Sequence, residues 1–426
     1  MTAAAERQHP RTTRTLPAPG VAAGGTGPLV PAAPTGPAGR ARAAAARLLV
    51  TRMAARLPIR IEFPDGSAAG AGGPAAPAMR LHDPDAFFAR LGGGTAGFAE
   101  SYMAGEWDSA DLAGLFEVLA RHLTGLVPRP LRALRRAYVP RQPAAEEATR
   151  DGARRNIERH YDLSDDLFAL FLDPGMTYSS ALFEPGDTLE RAQHRKIDRL
   201  LDLTGVGPGR TVLEIGTGWG ELALRAAARG ARVTSLTVSP AQRAAATRRC
   251  AAAGLAGRVD VQLRDYRDAV GQYDAVISVE MIEAVGAAYW PEYFRVIERL
   301  LGPGGRAGLQ AITMAHDRML ATRGGHSWIH QYIFPGGQIP SVEAITSTLG
   351  QHTGLAVRSD LAMGQHYATT LSQWRARFMA AADEVGRLGF SPAFRRMWEL
   401  YLAYSEGGFR AGYLDVHQLI LGRSAT

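Results

Sequence analysis

The chain has 426 residues, one cysteine, a formal net charge of +7 and 46% hydrophobic residues. That length allows two or three domains with a large core, while the lone Cys250 excludes an internal disulfide framework and cysteine-built zinc sites and suits a reducing cytosol. The positive balance favours an anionic partner, nucleic acid or an acidic membrane surface, and charge alone does not choose between them.

In chain order, Pro, Gly and Ala supply 22 of the first 40 residues, too little burying capacity to offset the entropy of ordering. Residues 1–41 therefore read as a disordered tail. No stretch approaches the roughly 18 uninterrupted apolar residues of a membrane span, since AAAARLLV near residue 45 is short and cut by arginine. A small N-terminal α+β domain is expected over 42–142. It contains LPIRIEFPDGS, which alternates like a strand and stops at Asp65-Gly66, then helical pieces MRLHDPDAFFARL and LAGLFEVLARHL. The following PRPLRALRRAYVPRQP, with Arg129, Arg132, Arg135, Arg136 and Arg141, reads as a linker whose arginines are solvated or face anionic lipid head groups.

From Gln193 strands and helices alternate, the pattern of a parallel sheet with helices on both faces. Strands are expected at 211–215, 231–237, 258–263, 273–279 and 305–312. Ser239-Pro240-Ala241-Gln242 reads as a capping box, and Pro291 opens a helix whose Phe294, Ile297 and Leu301 share a face. Residues 313–340 read as an inserted lid, and His326 and His330 as solvated loop histidines. Beyond lie another sheet portion, two helices rich in Trp and Phe, and the last strand YLDVHQLILG.

Thr211 to Gly220, TVLEIGTGWG, is a buried strand running into a glycine turn that opens a helix, a backbone cradle for a nucleotide. A dinucleotide fingerprint needs glycine in the sixth slot, where Glu221 stands, and an acidic residue about 20 positions on; the second strand ends instead in Thr237 and Ser239. Glu214 followed by Gly216, Gly218 and Gly220 resembles motif I of the S-adenosylmethionine methyltransferases. Other contacts should come from the carboxyl ends of neighbouring strands. Thr237 and Gln242 are candidates for the ribose or the amino acid group, with helix capping an equal alternative for Gln242. Tyr266 could lie on the adenine or belong to the core. Glu280 and Glu283, after the apolar fourth strand, are either helix-starting charges or catalytic groups. The same position lacks an Asn-Pro-Pro-Tyr-like sequence for holding a flipped base, so nucleic acid drops as a partner.

Several longer motifs, GFAESYMAGEWDSADL (97–112), NIERHYDLSDDLFALFLDPGMTYSSALF (156–183), ISVEMIEAVG (277–286), QYIFPGGQIPS (331–341) and HYATTLSQW (366–374), resemble the cyclopropane-fatty-acyl-phospholipid synthases and their mycolic-acid and methyl-branching relatives. The resemblance implies an α/β fold: a Rossmann-like class I methyltransferase sheet over 143–426 with helical acyl-chain-binding insertions. It also implies methyl transfer from S-adenosylmethionine onto a double bond, usually cis, in the acyl chain of a membrane phospholipid, by a cytoplasmic enzyme peripheral on the inner membrane face. Tyr178 and Ser179 then match residues that touch S-adenosylmethionine, and Tyr161 an aromatic near the reacting carbon. In the family a bound bicarbonate takes the proton. Its ligand positions correspond here to Ser180, Glu283, Gln310, Ile312 and Tyr367, with Ser180 standing where the family has Cys and Gln310 where it has His.

Ser and Gln can both donate hydrogen bonds to an anion, but the imidazole that would share its proton is gone. These residues, with EAVG where many relatives have EHVG, resemble the branch that makes methylene or 10-methyl chains, where a separate reductase completes the product. Ring closure and branching both stay open. Two other readings are a methyltransferase of a soluble small molecule and a non-catalytic module that binds S-adenosylmethionine or lipid.

Overall fold

The computed structural model describes residues 29–126 and 164–424, together with Pro143, Thr149 and Gly152. Tyr161 and the arginines from 129 to 141 lie outside the described residues. The first described element is a helix over Gly36–Ala54, so helical structure begins inside the segment expected to be a tail. Its alanines carry high helix propensity and Pro37 occupies the first turn, where its missing N–H costs nothing.

A small sheet follows, of strands β1 (Arg60–Glu62), β2 (Ala68–Ala69), β3 (Ala78–Leu81) and β4 (Trp107–Asp108), in the order β2-β1-β3-β4. Met79 to Leu81 is thus strand, and the helix expected there starts at Pro84, where Asp83 caps it. The alternation of buried Met79 and Leu81 about exposed Arg80 is the period-2 signal that a helical reading overlooks.

The second sheet has seven strands among the described residues: β5 (Thr211–Ile215), β6 (Arg232–Thr237), β7 (Val259–Leu263), β8 (Tyr273–Val279), β9 (Leu301–Met314), β10 (Leu355–Ala362) and β11 (Leu414–Arg423). Their order is β10-β11-β9-β8-β5-β6-β7. β5 to β9 pair in parallel, and β11 inserts antiparallel between β9 and β10. The chain runs outward from β5 through β6 to β7, then crosses back to β8 on the other side of β5. Such a reversal opens a crevice beyond the carboxyl ends of β5 and β8.

Strand β9 begins at Leu301 and carries Gly302 to Gly305 within it, with a register shift opposite Tyr273, so the glycines bend the strand as well as ending the helix Trp290–Leu300. The segment read as a lid carries regular structure. β9 continues to Met314, helices occupy His316–Thr322 and Trp328–Tyr332, and Trp328 and Ile333 are buried. His330 is no solvated loop residue. Its Nε2 lies 3.0 Å from Gly337 O, its Nδ1 accepts from Ser327 N, and burial followed by nearby His326 pushes its pKa down to about 4.

One core joins the N-terminal elements to the two helices Gly364–Ala380 and Pro392–Arg410. Tyr102 donates to Glu399 at 2.8 Å, and Arg396 donates to Trp107 O at 2.6 Å. Phe168, Phe171, Trp374 and Trp398 fill this core, each with almost no exposed surface. Among the described residues no helix is long and apolar enough to cross a membrane.

Candidate active site

At the end of β5 the chain turns through Gly216, Gly218 and Gly220, all at positive φ, into the helix Glu221–Ala228. A Cβ on Gly220 would lie 2.9 Å from Ala246 Cβ, so this glycine lets two helices close up. One on Gly218 would meet nothing within 4 Å, because Gly218 faces the open crevice. That bare backbone beside a helix N-terminus fits a ligand with a carboxylate.

Glu214 turns away from solvent, 2.5 Å from Ser235 Oγ, which also reaches Thr217 at 2.7 Å. Burial pushes its pKa up to about 8, so it carries a proton at neutral pH and braces the loop from below. Thr237 donates to Gln242 Oε1 at 2.9 Å, and both line the crevice. Ser239 Oγ accepts from Gln242 N at 3.2 Å. Only that half of the expected capping box forms, because the Gln242 side chain goes to Thr237. Tyr266 stands at the crevice edge-on to Tyr293, with Arg267 fixed beside it by two bonds to Asp265 at 2.8 and 2.6 Å.

The facing wall is the loop 173–180. Asp173, buried, accepts from Gly175 N at 2.8 Å and Thr177 N at 3.0 Å, and Arg249 ties Gly175 O and Trp219 O together at 2.8 Å each. This sets Tyr178 and Ser179 on the crevice. Tyr178 stacks on Trp374 at 5.2 Å and meets the Tyr401 hydroxyl at 2.8 Å. Ser179 Oγ accepts from Lys196 Nζ at 2.6 Å.

Lys196 was not among the sequence candidates, although the signal was present. Leu189, Ala192, Gln193, Ile197, Leu200 and Leu201 form the buried stripe of helix Leu189–Leu203, and Lys196 interrupts it. At 1% exposure, burial lowers its pKa to about 8, opposed by the charges of Glu280 and Asp173.

Glu280 begins where β8 ends, in the left-handed region at φ 50°, a conformation costing a non-glycine residue about 1–3 kcal/mol. Its Oε1 accepts from Ser180 N and Gln310 Nε2, each at 2.8 Å, and the Tyr367 hydroxyl bonds the same carboxyl group. The Ser180 hydroxyl donates instead to Ala181 O at 3.1 Å, so the serine serves through its backbone N–H. Gln310 cannot turn its amide round without loss. Its Oε1 accepts from Gln418 at 2.9 Å, and Gln418 accepts from Arg199 at 2.8 Å.

Glu283 takes the Ile312 N–H on Oε1, while its Oε2 is buried with no partner. Burial, then the negative charge of Glu280, raises its pKa to about 8. Two carboxyl groups this close do not both ionise readily. Burial pushes the Glu280 carboxyl up as well, but Lys196 and three donors oppose it, so the charge belongs on Glu280 and the proton on Glu283. Ser180, Gln310, Ile312, Glu283 and Tyr367 therefore converge on one spot, as the ligand set for a bound anion requires. Their donors, however, are already taken by the two glutamates. Bicarbonate does not fit this arrangement.

A parallel sheet with a switch point beside β5, a glycine cradle and a strand-end Thr237–Gln242 pair define a class I S-adenosylmethionine-dependent methyltransferase. Residues 148–419 match the model of the mycolic acid cyclopropane synthetase family, and the chain belongs to that family. It is 54% identical to the tuberculostearic acid methyltransferase of Mycobacterium tuberculosis, over 93% of this chain and 95% of that one. It is 35% identical to the cyclopropane-fatty-acyl-phospholipid synthase of Escherichia coli strain K12, over 81% and 87% of the two chains. The crystal structure of a mycolic acid cyclopropane synthase complexed with SAH and CTAB superposes with a TM-score of 0.59 at 31% identity, covering 66% of this chain and 98% of that one.

Proposed function

We propose that this enzyme transfers the methyl group of S-adenosylmethionine to the cis double bond of an unsaturated fatty acyl chain carried by a membrane phospholipid. The product is a methylene-branched chain, which a separate reductase converts to the methyl branch. One observation carries the reading: Tyr178 and Glu280 both line the donor crevice, and the hydroxyl of a second aromatic, Tyr367, bonds the Glu280 carboxyl group. An alkene is a poor nucleophile, and attack on the methyl carbon leaves a carbocation. Aromatic faces favour that cation, a dry cavity protects it from water, and a carboxylate can take its proton.

The 54% relative, named for tuberculostearic acid, supports the branched product. The 35% relative, named as a cyclopropane synthase, keeps ring closure as the second reading. A phospholipid substrate is supported by the helix Gly36–Ala54, which exposes Leu48 and Leu49 at 55% and 58% among exposed Arg40, Arg42, Arg47 and Arg52. Apolar side chains amid arginines suit an anionic membrane surface.

The test gives purified protein S-adenosylmethionine and vesicles of monounsaturated phospholipid. S-adenosylhomocysteine should be released, and acyl chains should gain one CH₂, with fragmentation locating an exocyclic methylene. Unaltered chains would refute the function, and a three-membered ring would refute the branch alone.

A further inference from the structure

We infer that Glu280 is a built-in proton acceptor that stands where an exogenous anion would otherwise sit, so that turnover needs no bicarbonate. The inference rests on the proposed acyl-chain methylation and concerns which group completes it. Four observations converge. Ser180 N, Gln310 Nε2 and the Tyr367 hydroxyl all donate to the Glu280 carboxyl group, and Ile312 N is taken by Glu283, so no donor of the cluster is left for a free anion. A second negative charge beside the ionised Glu280 would also be repelled. Gln310 is held in the donating orientation by the chain of bonds through Gln418 to Arg199. Glu280 lines the crevice that receives the methyl donor, at a strained backbone position of the kind retained where a side chain must be aimed.

The step balances without another reactant. The alkene π pair forms the new C–C bond while the C–S pair stays on sulfur, leaving S-adenosylhomocysteine and a cation on the neighbouring carbon. A 1,2-hydride shift moves that cation to the carbon bearing the new methyl. Glu280 then takes a proton from the methyl group, and the freed C–H pair becomes the exocyclic double bond. Without the shift, the same proton loss closes a ring. The carboxylic acid releases its proton to solvent before the next turnover.

The experiment compares wild type, Glu280→Gln and Glu280→Gly in CO₂-depleted buffer, with and without added bicarbonate. S-adenosylmethionine affinity is followed by calorimetry and binding of ¹³C-bicarbonate by NMR. Wild type should turn over equally with and without bicarbonate and show no bound label. Glu280→Gln should lose on the order of 10²–10⁴-fold in turnover while still binding S-adenosylmethionine. Glu280→Gly, with the cradle vacated, should bind labelled bicarbonate and regain part of its activity when it is added. Loss of wild-type turnover on bicarbonate removal, or full activity in a folded Glu280→Gln variant, would overturn the inference. The wild-type comparison needs no variant to fold. Should wild type methylate no acyl chain under any condition, the proposed function fails rather than this assignment.

Discussion

The donor cradle and the carboxylate cluster lie side by side at the ends of β5 and β8, yet they are built in opposite ways. The cradle is mostly backbone: three glycines at positive φ and a helix start, all within 212–221. The cluster is mostly side chains and assembles Ser180, Glu280, Gln310 and Tyr367 from four elements, with Arg199 and Gln418 behind them. Backbone sites tolerate little change in shape. Side-chain sites tolerate little change in charge, because each buried group depends on the partner that satisfies it.

That contrast is sharpened first by Gly220→Val. The new side chain meets Ala246 with φ at +90°, so binding of S-adenosylmethionine should weaken by about 100-fold or more, following a strain of roughly 3 kcal/mol. Calorimetry checks this; near-normal affinity would mean the loop can shift. Lys196→Met should act through charge instead. Removing its positive charge raises the Glu280 pKa, so the acid limb of the pH–rate profile should move upward by about one unit or more, with donor affinity less affected. An unmoved limb would detach Lys196 from the proton acceptor.

A smaller effect is expected at His330. The unfolded chain takes up a proton below about 6.5, while the folded site, with Nδ1 already accepting from Ser327 N, resists it until about 4. The folded pKa is depressed, so this contribution is complete above about 6.5 and is lost as the pH falls towards 4. Urea midpoints should decline over that window, and His330→Gln should flatten the decline. Least of all, Leu48→Ser with Leu49→Ser should change stability by no more than about 0.5 kcal/mol, since both side chains are exposed, yet reduce sedimentation with anionic vesicles. Unchanged sedimentation would remove this helix from the lipid surface.

The same contrast explains what could be read from the chain itself. Strand β5, its glycine turn and the following strands declare themselves because local periodicity and φ requirements are written in adjacent residues. Motif resemblance likewise picks out Ser180, Glu283, Gln310, Ile312 and Tyr367, which the fold brings together. What it does not supply is the partner of each. The sequence leaves Glu280 between a helix-starting charge and a catalytic group, because its role depends on Ser180, one hundred residues away, and on Gln310 across the β8–β9 pair. Strand β3 and the short helices within 313–340 escaped for a related reason: short elements take their form from tertiary contacts more than from their own pattern.

The central claim is electrophilic methylation of olefinic carbon followed by proton loss from the transferred methyl, and an isotope tests it most directly. With S-adenosylmethionine carrying a trideuterated methyl group and oleoyl phospholipid vesicles, the acyl product should retain two deuterium atoms and lose the third. Acyl chains that carry no label, or that keep the methyl group with all its deuterium, would contradict the account.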